Sequence, residues 1–299
     1  MANGIGSTVP RRQLGRLLRD QREAAGVSMR SAYEYLECSY QRLWRMETGE
    51  PNVTLRKAEI ESLARYYGMT REATDLALAL GQAAKEEGWW QSYRGALHRW
   101  SELYVGLETA AHKIRQFGPA VVPGLLQAPA YSEAFFRVER PTVPEQVLTH
   151  RIQVKQERQR LIRRFSPAPP VFEAIISEGI LHARLAAPGA MQQQLHHLLM
   201  AGELRNVSVR VLPLSVGPHS ASVTGGFTIL EFPTLTGNRG GEPTTVYSEN
   251  LTGALYLDKP DEVETYEEAW TALTDLALSE GDSTEMITSI LKSLGGTSS

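Results

Sequence analysis

The chain is 299 residues long, with 42% hydrophobic residues, 22% charged residues and a formal net charge of −3. That composition excludes a broadly disordered or fibrous polypeptide, and the length predicts two domains. The single cysteine, Cys38, excludes an intrachain disulfide and any multi-cysteine zinc or iron–sulfur site, and it fits a reducing cytoplasm.

No apolar run of signal-peptide length precedes the first basic residues, and no later stretch approaches about 18 uninterrupted apolar residues, so a cytoplasmic protein with no membrane partner is expected. The charge is uneven: residues 1–68 carry eleven Lys and Arg against eight Asp and Glu, or +3, which leaves −6 for the remainder. A basic head on an acidic body points to a nucleic-acid partner for the head.

The head reads as five short helices. In RRQLGRLLRDQREAA, residues 11–25, Leu14, Leu17 and Leu18 fall at i, i+3 and i+4, with Arg11, Arg12, Arg16, Arg19 and Arg22 mostly off that stripe. Gly26 stops this helix. Ser28 stands where an N-cap belongs, before MRSAYEYL; Ser39 does the same for YQRLWRME, which Thr48-Gly49 and Pro51 end. Thr54 is expected to open a fourth helix, LRKAEIESLARYYG, and a fifth runs from Thr70 to about Ala84. In the third helix Leu43 and Met46 form the inward pair, while Tyr40, Gln41, Arg42 and Arg45 face outward.

Two short helices joined by a three-residue turn, the second with a polar and basic outer face, have the geometry that enters a major groove. These helices, above all SYQRLWRMETG at 39–49, resemble the XRE family of phage-repressor-type helix-turn-helix regulators. The resemblance makes Ser39–Met46 the recognition helix of a module that binds double-stranded DNA. Gln41 and Arg42 would reach base edges; Tyr40, Trp44 and Arg45 would contact bases, sugar or phosphates; Arg12, Arg16, Arg56 and Lys57 would hold phosphates. The sequence departs from that family at Met29 (usually glutamine), Tyr33 (usually alanine), Glu37 (usually glycine) and Trp44 (usually small and polar), which predicts looser packing of the helix pair. Arginines on a solvated face of a protein-binding bundle are the alternative reading of the head, an antitoxin-like interaction module with a degenerate helix-turn-helix.

Past about residue 86 the chain turns aromatic. Trp89, Trp90, Tyr93, Trp100 and Tyr104 fall within sixteen residues, as packing residues or as a partner or ligand pocket. LETAAHKIRQF, 107–117, reads as a helix with Leu107, Ala111 and Ile114 inward and Glu108 in a surface pair. A Pro- and Gly-interrupted turn leads to another helix, and RIQVKQERQRLIRR at 151–164 reads as a basic, exposed helix or interdomain arm in preference to a second nucleic-acid patch. Strands are expected at 171–176, 207–213, 226–232, 244–249 and 254–258, with a helix between the first two and two helical segments from Asp261 to Leu294. Helix and strand in this order indicate an α+β domain.

LETAAHKIRQFGPAVVPGLLQAPAYSEAFF, RIQVKQERQRLI, VLPLSVGPHSASVTGGFTILEFP and VYSENLTGALYLD resemble the regulatory domain of WhiJ-like regulators, antitoxin-type transcription factors of actinomycete bacteria. That resemblance implies a small BldB-like partner protein. It carries over only Glu178 of an acidic pair that usually follows the first strand, since Ser177 precedes it here.

No enzyme is expected. There is no HExxH, GxSxG, GxGxxG or GxxxxGK; His196 and His197 point to different helix faces; and His219, beside Ser215, Ser220 and Ser222, suits a turn or an interface. TGNRGG at 236–241 reads as an exposed hairpin loop. The expectation is therefore a multi-domain protein. An all-α helix-turn-helix domain at 1–84 precedes an α+β regulatory and partner-binding domain at 85–285 and a helix end with a flexible tail at 286–299. It has no cofactor or metal, and it acts as a homodimer because helix-turn-helix half-sites lie about one helical turn apart.

Overall fold

The computed structural model describes residues 8–50, 53–85, 99–139, 141–233 and 242–295. They fall into two compact units, one comprising Met1–Ser92, Glu102–Ala110 and Phe232–Glu242, the other Tyr93–Ser101, Ala111–Glu231 and Pro243–Ser299. Two segments later in the sequence are thus grouped with the first unit.

In that unit α1 (Thr8–Ala24), α2 (Met29–Tyr35), α3 (Tyr40–Glu47), α4 (Lys57–Tyr66) and α5 (Arg71–Ala83) enclose one core, and most of α6 (Arg99–Ala110) also falls within it. Leu14, Leu18, Leu43, Met46, Ile60, Leu63 and Ala77 are buried together, each large side chain contributing about 1.5–3 kcal/mol by leaving water. Helix α1 meets the end of α3 at Gly15, where a Cβ would lie 2.6 Å from the Glu47 carbonyl oxygen; only a residue with no side chain permits that backbone approach. Ser28 caps α2 by accepting from the Ser31 N–H at 3.0 Å, and Thr70 caps α5 through the Ala73 N–H at 3.2 Å. Helix α4 does not open at Thr54. Its N-cap is Arg56, whose N–H donates to the Glu59 carboxylate at 3.4 Å, because an acid at the third helical position reaches back to the orphan donor.

The second unit is built on a mixed six-stranded sheet in the order β3-β2-β1-β4-β5-β6. Strand β1 (Lys113–Gly118) pairs in parallel with β2 (Val171–Ser177), β2 in parallel with β3 (Val207–Leu212), and β4 (Phe227–Glu231), β5 (Thr245–Asn250) and β6 (Gly253–Leu257) continue antiparallel from β1. Between β1 and β2 run α7 (Pro129–Glu139) and α8 (Glu145–Gln159); between β2 and β3, α9 (Glu178–Leu181) and α10 (Ala190–Gly202); α11 (Pro260–Leu276) and α12 (Glu280–Gly295) end the chain. Phe117, Ile175, Phe227, Ile229 and Val246 pack with Ala269, Trp270 and Leu273 of α11. Alternation puts Phe172, Ala174 and Ile176, also buried, on the other face of β2, as parallel strands covered on both sides require.

Residues 107–117 are not one helix. The helix α6 ends at Ala110 and the chain enters β1, the strand on which parallel and antiparallel halves of the sheet meet. Ile114 and Phe117 mimic helical spacing because both faces of β1 are buried, so apolar residues do not alternate. Glu108 is correspondingly not in a surface pair; it is 1% exposed. Arg115 lies on the sheet, bonded to Glu267 of α11 and to Glu231 of β4 at 3.0 Å. Among the described residues no helix is long and apolar enough to cross a membrane.

Candidate nucleic-acid interface

The site is a two-helix device whose back is locked and whose front is exposed. Ser39, extended at the start of α3, accepts from the Arg42 N–H at 3.2 Å, which fixes where the helix begins. Behind α3, Leu43, Met46 and Glu47 are buried. Glu47 receives a fork from Arg22 of α1, with Nε at 2.8 Å and Nη2 at 2.9 Å, and the Arg22 Nη1 donates to the Val27 carbonyl at 3.1 Å. This pair holds α1 against the end of the recognition helix. The hydrogen bond to Glu47 raises the Arg22 pKa above its ordinary value; burial, then the Glu47 charge, pushes up that of the neighbouring Tyr67 phenol. Helical spacing places Arg22 off the apolar stripe and does not disclose the pair. The available signal is an acid at a helix C-terminus, where the helix dipole disfavours it unless a cation answers.

In front, Tyr40 and Trp44 are 53% and 43% exposed, and Gln41 and Arg45 are exposed beside them. These are two i, i+4 pairs on one surface. Of the departures from the family pattern, Tyr33 meets Tyr40 edge to face at 6.3 Å and so fills the space between α2 and α3. Met29 packs on the core rim. Glu37 adopts φ 51°, the left-handed conformation that the turn requires and glycine would take without strain. Burial raises the pKa of the half-buried Cys38 thiol next to that turn.

The predicted contact residues do not share one environment. Arg42 Nη2 donates to both carboxylate oxygens of Glu59 at 2.8 Å and to the Thr54 carbonyl at 3.0 Å, tying α3 to the start of α4. Arg56 and Lys57 stand exposed at that start, with Lys57 Nζ 3.6 Å from Glu61. Arg12 and Arg16 lie on α1 and converge on Glu242: Arg12 Nε is 3.0 Å from one oxygen, and the two terminal nitrogens of Arg16 take one oxygen each at 3.0 Å. Neither Glu59 nor Glu242 stands out in the sequence, because each gains its meaning from a partner distant along the chain.

Of the residues proposed for a partner or ligand, Trp89, Trp90 and Tyr93 lie outside the described residues, as does TGNRGG. Glu178 starts α9 and accepts from the Leu214 N–H at 2.8 Å, with His182 at 3.6 Å. The His219 N–H donates to the Ser222 hydroxyl at 3.0 Å while its ring meets Phe117 edge to face at 5.9 Å. Glu178 and His219 thus both serve the loops that follow sheet strands. Among the described residues no cluster of His, Cys, Asp and Glu could hold a metal ion.

A capped helix pair with a pinned back and an exposed polar and aromatic front defines a helix-turn-helix module. Residues 13–77 match the family described as a helix-turn-helix domain, which supports an XRE-like regulator. Residues 101–289 match the family described as Domain of unknown function (DUF5753), and the chain belongs to that family. Neither description names the WhiJ-like group or an actinomycete source. No curated protein and no solved structure matches the chain.

Proposed function

We propose that this protein is a sequence-specific DNA-binding transcription regulator in which α3 enters the major groove, Gln41 and Arg45 read base edges, and Tyr40 and Trp44 pack on sugar and thymine methyl groups. Arg56 and Lys57 hold phosphates. The observation that carries this reading is the asymmetry of α3, with Leu43, Met46 and Glu47 buried behind and Tyr40, Gln41, Trp44 and Arg45 exposed in front. Arg42, engaged with Glu59 and the Thr54 carbonyl, serves as a strut that orients the helix. In the same proposal the protein works as a homodimer on paired half-sites. The DUF5753 domain is regulatory rather than catalytic and receives its signal from a small partner protein of the BldB-like kind. The roles of Glu178 and His219 in loop structure support a non-catalytic reading.

The exposure of Tyr40 and Trp44 also favours a second reading, a protein-interaction face. A salt series of binding to duplex fragments from the protein's own upstream region separates the two. Selective binding that weakens steeply with salt and is lost in Arg45→Ala supports the regulator. Salt-insensitive association with a protein, and no duplex binding, supports the interaction module.

A further inference from the structure

We propose that Glu242 is an internal competitor for DNA phosphate, a latch that keeps the Arg12 and Arg16 guanidiniums of the helix-turn-helix unit occupied until it is displaced; the inference rests on the DNA-binding reading above. The Glu242 side chain is fully buried, and those of Arg12 and Arg16 are 12% and 21% exposed. A carboxylate so far removed from water must be matched by cations, and here both oxygens are engaged by a fork. Phosphate presents the same charge and the same paired acceptors, so the two anions compete for one cradle.

The position suits the role. A Cβ on Gly49, the residue that ends α3, would lie 2.7 Å from the Arg12 Cα, so the arginine pair starts beside the end of the recognition helix. The residue that occupies the pair lies beyond β4 in the sequence, more than two hundred positions from Arg16, yet belongs to the same compact unit as α1. Occupancy of the cradle is therefore decided by a residue outside the helix-turn-helix sequence, as a regulatory input requires.

The test compares the full-length protein with Glu242→Gln, and with Glu203→Gln, an exposed acid of the second unit, as the control for net charge. On a duplex, Glu242→Gln is expected to bind at least tenfold more tightly at low salt, with the slope of log K against log salt steeper by about two as two more phosphates are neutralised. An Arg12→Gln/Arg16→Gln double variant should leave the wild-type slope unchanged and abolish the gain in the Glu242→Gln background. Equal slopes for Glu242→Gln and Glu203→Gln overturn the latch. So does a wild-type slope that falls by about two on loss of the arginines, an outcome readable even where Glu242→Gln does not fold. If no variant binds duplex, the DNA reading fails, and elution from immobilised heparin still decides the latch. Glu242→Gln must then elute at higher salt than Glu203→Gln, and co-elution overturns the proposal.

Discussion

In the helix-turn-helix unit a central buried polar contact is ionic: Arg22, 8% exposed, forks onto Glu47, 2% exposed, across 25 residues of chain. The sheet unit has an ionic contact too, at Arg115, but it also holds a buried contact that is neutral. Gln194, fully buried on α10, accepts from the Ala128 N–H and donates to the Leu126 carbonyl, both at 2.7 Å. Each joins elements that sequence separates, but the partners differ in kind. Glu47 answers another side chain, which evolution can replace together with it. Gln194 answers the backbone, which no substitution removes. The first arrangement should therefore be costly to break and open to exchange; the second should be costly to break and closed to it.

The largest expected effect tests the ionic side. Glu47→Ala leaves the Arg22 charge with only the Val27 carbonyl and the mostly exposed Glu23, and a half-broken buried pair costs about 3–5 kcal/mol. Denaturant unfolding should register that loss in the transition of the helix-turn-helix unit. The double substitution Arg22→Met/Glu47→Leu should recover most of it, since two apolar groups of similar volume need no partner. A double variant as unstable as the single one would mean that the pair sets the register of α1 on α3, and the contrast with Gln194 would collapse.

Gln194→Leu tests the neutral side. It strands a buried donor and a buried acceptor of the main chain, at a cost of about 2–3 kcal/mol. Here no second substitution should compensate, because the stranded groups belong to the backbone at Leu126 and Ala128. Rescue by any apolar change packed against the introduced leucine side chain would show that water or a shifted turn satisfies those groups.

A smaller effect sharpens the picture of the helix-turn-helix unit as a structure under local strain. Glu37 holds φ 51° in the turn between α2 and α3, a conformation that costs a residue with a Cβ about 1–2 kcal/mol. Glycine relieves that strain but gives back part of the gain through its freer unfolded chain. Glu37→Gly should therefore stabilise by about 0.5–1 kcal/mol. A loss of stability on thermal unfolding would mean that the Glu37 side chain makes a compensating contact.

The two units also differ in how much the chain discloses. The helices α1–α3 are legible because their determinants are local: Leu14 and Leu18 one turn apart, Ser28 and Ser39 at caps, Gly49 at a stop. The start of α4 is hidden because Arg56 is no usual cap and the work is done by Glu59 three residues on. Strand β1 reads as helix because a strand buried on both faces loses its alternation. The candidate site divides along the same line. The exposed residues of α3 follow from helical spacing, whereas the engagement of Arg42 by Glu59 and of Arg12 and Arg16 by Glu242 is tertiary and has no local signature.

The smallest expected effect concerns charge on α10 of the sheet unit, the helix that also carries Gln194. Burial, and secondarily the Arg163 charge, lowers the pKa of His197 on α10 from its ordinary value of 6.5. The unfolded chain then binds this proton more readily than the folded one, so stability rises with pH across the interval between the two pKa values. His197 therefore imposes no penalty above the unfolded value, and its cost grows as pH falls below about 6.5 and through the lowered folded pKa. Wild type should lose more stability than His197→Gln on going from about pH 7.5 to about pH 5.5. Parallel losses in the two proteins would place the acid sensitivity elsewhere and show that the α10 surface tolerates a charge that its core does not.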